Sequence, residues 1–136
     1  MVKKEYLYYY DRWFLGVRAW LEIVYEDPSS VRKANRGADI WRKAAADIGK
    51  YHPNKVPCFA ELLNHEDAEI REHAAVSVIQ YMPHTKDELR RSITIIQNRM
   101  ATCTPSTRMV WEWFLNQPWA SEESCIAERI MEAKEE

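Results

Sequence analysis

Apolar side chains recur along this chain at three- and four-residue steps, the period of an amphipathic α-helix. Near the start, Tyr6, Tyr10, Trp13, Val17, Trp20, Leu21 and Val24 fall on one side of a helical wheel, with Asp11, Arg18 and Glu22 opposite. The spacing predicts a first helix over about residues 4–26, with Tyr8 and Leu15 on its polar side. Asp27-Pro28 then supplies an N-cap and a first-turn residue. Val31, Ala34, Ala38, Trp41, Ala45 and Ile48 continue as a second helix to about Gly49. Gly37 lies inside that stripe at a local cost of about 1 kcal/mol relative to Ala.

His52-Pro53-Asn54 makes the next break, and Cys58, Phe59, Leu62 and Leu63 mark a short third helix ending near Asn64-His65. A fourth runs from Glu69 to Met82, with Ile70, Ala74, Val78 and Tyr81 on one side, and Pro83 ends it. Thr85-Lys86-Asp87-Glu88 has the spacing of a capping box, in which the Thr hydroxyl satisfies an orphan N–H and the Glu reaches back. Leu89, Ile93, Ile96 and Met100 place the fifth helix behind it. Pro105-Ser106 opens a sixth whose apolar side is set by Met109, Val110, Trp113 and Phe114; Pro118 stops it. Ser121 caps a last helix containing Ile126 and Ile130. The expectation is an all-α fold of about seven helices.

A stretch of the pattern occurs twice, 30 residues apart. Ala38/Ala68, Asp39/Glu69, Ile40/Ile70, Ala44/Ala74, Ala45/Ala75, Ile48/Val78, Tyr51/Tyr81 and Pro53/Pro83 correspond. Small Ala pairs let helices approach, Ile and Val fill the space between, and each Pro terminates its unit. Two such units predict a short stack of antiparallel helix pairs.

Length adds that 136 residues make one domain, residues 1–136. Its repeat-bearing core spans 28–103, and Trp-rich C-terminal helices span 106–134. Only 3 Gly and 6 Pro argue against a loop-rich β fold. The aromatic first segment is interrupted by Asp11, Arg12, Arg18 and Glu22 and is too charged to span a bilayer. Nothing has the form of a secretory signal. Cys58, Cys103 and Cys125 are odd in number and lack metal-ligand spacing, so they read as free thiols in a reducing, cytoplasmic setting.

Charge alternates helix by helix beneath a net −2. Arg32, Lys33, Arg36, Arg42, Lys43, Lys50 and Lys55 face only Asp39 and Asp47 within residues 31–55. Residues 61–88 reverse the sign with Glu61, Glu66, Asp67, Glu69, Glu72, Asp87 and Glu88 against Arg71 and Lys86. Alternation of this kind either fixes the packing order of neighbouring helices or offers a charged face to a partner.

Catalytic patterns are missing: there is no G-x-S-x-G, no Gly-rich phosphate loop and no H-E-x-x-H. His65 and His73 stand eight residues apart and read as surface or packing histidines. Trp13, Trp20 and Trp41 lie on apolar stripes and read as core. Trp111 lies off the expected apolar side of its helix, and Trp119 follows a Pro in a connector. Both are therefore candidate exposed anchors.

The stretch Leu62-Leu63-Asn64-His65-Glu66-Asp67-Ala68-Glu69-Ile70-Arg71-Glu72-His73-Ala74-Ala75 resembles a HEAT-type unit, with its Leu-rich first helix, acidic turn, Ile-Arg pair and Ala-rich packing. Upstream, Val31-Arg32-Lys33-Ala34-Asn35-Arg36-Gly37-Ala38-Asp39 resembles the Asn-Arg-x-x-Asp helix that precedes this unit in a small bacterial family of HEAT-like domains of unknown function. The resemblance implies a HEAT-like stack in which Asp67 and Arg71 are structural, and it carries no catalytic motif. By analogy of fold and size, the chain is similar to immunity proteins of contact-dependent growth inhibition toxins.

The expected function is accordingly a non-catalytic protein-binding module without cofactor, metal or small-molecule ligand. In its most specific form it is an immunity protein that neutralises a cognate toxin. A nuclease toxin presents a basic, polyanion-binding site, which Glu61, Glu66, Asp67, Glu69, Glu72, Asp87 and Glu88 would occupy, anchored by Trp111 and Trp119. The second candidate is a glycosylase-like nucleic-acid-binding protein using Arg32, Arg36, Lys43 and Lys50. Asp39 and Asp47 interrupt that stripe.

Overall fold

The computed structural model describes residues 3–126, and every described element is helical. Six α-helices follow in order: α1 (Tyr6–Leu21), α2 (Pro28–Tyr51), α3 (Val56–Phe59), α4 (Ala68–Tyr81), α5 (Lys86–Met100) and α6 (Pro105–Leu115). Short 3-10 turns at Pro53–Lys55 and Ala60–Asn64 flank α3, so the expected third helix is one irregular helical run. Further 3-10 turns lie at Pro118–Ala120 and Glu122–Ser124. The helix expected after Ser121 is reduced over the described residues to the second of these turns, because Cys125 is extended and Ile126 lies outside any helix; Ile130 lies outside the described residues.

Local chemistry places the helix starts. Asp27 Oδ1 accepts the Ser29 N–H at 3.0 Å ahead of Pro28. Thr85 and Glu88 complete the capping box, with Thr85 N–H to Glu88 Oε1 at 3.1 Å and Glu88 N–H to Thr85 Oγ1 at 3.2 Å. The first helix is shorter than its apolar pattern. It ends at Leu21, and Val24 N–H donates to Ser30 Oγ at 2.8 Å in a turn that leads into α2. Val24 therefore leaves the packed side and is 51% exposed, while Tyr9 takes a buried place instead.

Among the described elements, the α1–α2 hairpin makes the most extensive contact. Tyr9 stacks on Tyr51 at one end and Glu22 reaches Lys33 at the other, so the helices run antiparallel. They cross at two glycines. A Cβ on Gly37 would lie 2.7 Å from Ala19 Cβ and equally close to Gly16 O, so the backbones approach nearer than side chains permit. The cost assigned to Gly37 from propensity thus has a packing reason. Trp13, Val17, Ala45 and Ile48 fill the interior beside this crossing, all fully buried.

The two stretches related by 30 residues form α2 and α4, which lie side by side and point the same way. Trp41 packs edge-on against His73, ring centroids 5.3 Å apart. Nearer the C-terminal ends, Gly49 meets the Tyr81 carbonyl. Helix α4 turns back into α5, and Glu72 pairs with Arg99 at 3.7 Å, so these two run antiparallel. One apolar cluster extends from Tyr9 through Phe59, Leu63, Val78 and Ile96 to Phe114 and Ala120.

Candidate interaction surface

The turn entering α4 is built to hold acids outward. In the 3-10 turn Ala60–Asn64, Leu62 and Leu63 are buried while Glu61 stays exposed. Asp67 caps α4, its Oδ1 accepting the Glu69 N–H at 2.9 Å, and its own N–H donates to His65 Nδ1 at 3.0 Å. Arg71 Nη1 donates to His65 O at 2.7 Å and Glu66 O at 3.1 Å, clamping the turn from the helix side. The carboxylates of Glu61, Glu66 and Glu69 have no ion pair among the described residues. With Asp67 they make four exposed acids within nine residues, at a corner of the chain whose turn is held by hydrogen bonds. Three of them, Glu66, Asp67 and Glu69, sit at a helix N-terminus, whose dipole favours negative charge.

Glu72, Asp87 and Glu88 lie apart from this corner. Glu72 has a side chain only 14% exposed and is engaged with Arg99. Burial raises its pKa, and the Arg99 guanidinium pulls the other way. Because α4 and α5 are antiparallel, the start of α5 sits at the far end of α4, a helix of 14 residues. At 1.5 Å per residue that is a separation of roughly 20 Å. Asp87 there pairs with Arg91 at 3.7 Å, and Glu88 folds back onto Thr85 and is 6% exposed. Helix reversal divides the expected seven-acid face.

The tryptophans also change places. Trp111 is half-buried beside Phe114, and Trp119 is half-buried against Phe114 at 5.5 Å between centroids. The Trp119 Nε1 is buried with no hydrogen-bond partner among the described residues. Outward instead stand Met109, Val110 and Trp113, at 68%, 64% and 59% exposure. Only Phe114 of the expected apolar side is buried. The reason is that α6 carries two apolar stripes, Met109/Val110/Trp113 and Trp111/Phe114/Leu115, and periodicity does not say which one meets the core. That doubled stripe is the signal by which the outward Trp113 could have been found.

On α2, Arg32, Arg36, Lys43 and Lys50 are exposed as expected, but acids and rings engage the positive charges nearby. Lys43 pairs with Asp47 at 3.4 Å, Lys50 stands 5.0 Å from the Tyr51 ring centroid, and Arg42 stands 5.5 Å from that of Trp41. A cleft of about 270 Å³ between α1 and α2 mixes both signs, with Lys4, Arg12 and Lys43 beside Asp39 and Asp47.

His65 and His73 both have structural partners. His65 Nδ1 serves the α4 turn, and His73 Nδ1 donates to Glu69 O at 2.8 Å. Among the described residues no three His, Cys, Asp or Glu side chains are grouped to hold a metal ion, and no helix is long and apolar enough to cross a membrane.

These elements define an all-α protein with an exposed acidic corner and a separate exposed apolar helix face. No family model matches the chain, and neither the curated proteins nor the solved structures contain a match to it.

Proposed function

We propose that this chain is a non-catalytic protein-binding module whose partner presents a basic surface. The observation that carries the reading is the acidic corner of Glu61, Glu66, Asp67 and Glu69. Its turn is held by Arg71 and His65, and its glutamates form no ion pair among the described residues. Carboxylates carried on an ordered turn attract a cationic partner at long range, and the backbone that presents them needs no ordering on docking. The side-by-side, parallel placement of α2 and α4, which carry the repeated pattern, is compatible with a short stack of helix pairs as the scaffold for that surface.

In its most specific form the module is a bacterial immunity protein, and the basic surface is the polyanion-binding site of a nuclease toxin. The nine-residue interface reduces in this reading to the four-acid corner. Glu72 and Glu88 are committed within the fold, Asp87 lies at the far end of α4, and Trp111 and Trp119 pack inward.

The test is recovery of partners by the tagged protein from lysate of its own cells, with and without nuclease treatment, followed by mass spectrometry. A single stoichiometric protein that survives the nuclease is expected. Glu66→Lys with Glu69→Lys should weaken that complex at least about tenfold. Undiminished affinity of the double variant, or recovery that disappears with nuclease, would overturn the reading.

A further inference from the structure

The α6 face is chemically distinct from the acidic corner. Met109, Val110 and Trp113 stand at positions i, i+1 and i+4 and so form one continuous apolar stripe on the exposed side of the helix. Scattered exposed apolar residues are common, but three large ones together on one helix mark a contact surface. Arg108 and Glu112, also four residues apart, flank the stripe along one edge, and both are exposed. Neither has an ion pair among the described residues, although their spacing on the helix would allow one. Arg108 is instead steered away by its Nε–H, which donates to Met100 O at 3.1 Å, leaving its outer nitrogens free.

We propose that α6 pairs with α6 of a second copy of this chain, antiparallel about a two-fold axis near Val110. The charge pattern selects this occupant. Arg108 and Glu112 each lie two residues from Val110, on the same edge of the helix. Reversal about Val110 therefore sets Arg108 of one copy against Glu112 of the other, twice over. A two-fold interface is self-complementary by necessity, and this face meets that condition in both its apolar stripe and its charges. Trp113 is the anchor, a large ring of low conformational cost that gains most from leaving water. The ion pairs fix direction and register more than they add affinity. One helix face buries less than the roughly 800 Å² per partner of a standard interface, so the dimer is a weak one with a dissociation constant on the order of micromolar.

Sedimentation equilibrium on the full chain tests this, with five variants. The wild type should move from monomer to dimer as concentration rises through the micromolar range. Trp113→Glu should weaken the dimer at least about tenfold, as should Val110→Glu if the first variant loses its helical circular dichroism. Arg108→Glu and Glu112→Arg should each weaken it, and Arg108→Glu with Glu112→Arg together should restore it, because the swapped pair is again complementary. A full chain that stays monomeric would assign the face to another occupant and overturn the proposal. Failure of the double swap to recover dimerisation beyond the single variants would overturn the antiparallel register and with it the proposal. Neither result bears on the acidic corner, which lies on a different element.

Discussion

Trp13 Nε1 donates to Ser77 Oγ across 2.9 Å, joining α1 to α4 through the middle of the core, and both residues are fully buried. The hydroxyl passes the interaction on, donating to His73 O at 2.8 Å. A buried indole N–H without a partner forfeits its hydration, so this one bond decides which serine the tryptophan must meet. Ser77→Ala should destabilise the fold by about 1–3 kcal/mol, read from urea unfolding. Ser92 is an internal control. It is as deeply buried, but its hydroxyl has no partner among the described residues, so Ser92→Ala should be close to neutral or stabilising. Equal losses in the two variants would contradict this account.

The glycine crossing of α1 and α2 gives a prediction of sign. In an open helix, replacing Gly by Ala stabilises by roughly 1 kcal/mol. At Gly37 the new methyl would meet Ala19 Cβ and Gly16 O, both at 2.7 Å, and at Gly16 it would meet the Gly37 carbonyl. Gly37→Ala and Gly16→Ala should each destabilise instead, by about 1–3 kcal/mol, as the helices are forced apart. A rise in thermal midpoint for either variant would mean that the hairpin is looser than described.

Glu72 and His73 are adjacent in sequence and respond oppositely to pH. Burial raises the pKa of Glu72 above its ordinary 4.5, the effect of Arg99 being smaller. The folded state therefore favours the protonated acid. Stability from this group is complete below 4.5 and is lost as pH rises through the higher folded value. Glu72→Gln abolishes that loss, so its stability relative to wild type should improve as pH is raised from 4.5 towards neutrality. Chemical unfolding at several pH values reads the trend.

Burial lowers the pKa of His73 below its ordinary 6.5, against the opposing hydrogen bond to Glu69 O. A depressed base favours the neutral ring in the folded state. Its stabilisation is present above 6.5 and is lost as pH falls towards the folded value. The advantage of wild type over His73→Gln should shrink as the solution is acidified through 6.5. An advantage that grows on acidification would show that the ring charges more readily in the folded protein.

Much of the secondary structure was legible because its signals are local. Asp27-Pro28, the Thr85–Glu88 box and the prolines at 53, 83, 105 and 118 each act within a turn or two of the chain, and the breaks between helices fall at them. The stripe of α2 pointed inward as read, since that helix has one apolar side; that of α4 did too, but α4 is buried over a wider arc that also takes in Ala75, Ser77 and Ile79. For α6 the same reasoning failed. Two stripes competed, and the winner was set by the fit of Phe114 and Trp111 against the rest of the core.

The candidate surface was legible only in part, for a similar reason. A charge count along the sequence collects Glu61 to Glu88 into one block, but it cannot register that α5 runs back along α4. Direction sends Asp87 to the opposite end, and proximity commits Glu72 to Arg99. Sequence by itself determined the all-α class and most of the helix starts and breaks, because capping, proline and the 3.6-residue period operate over a few residues. Which acids share a corner, which tryptophan faces outward and why two glycines lie where helices cross were decided by the tertiary structure. Those depend on residues far apart in the chain, such as Gly16 and Gly37 or Trp13 and Ser77, that only packing brings into contact.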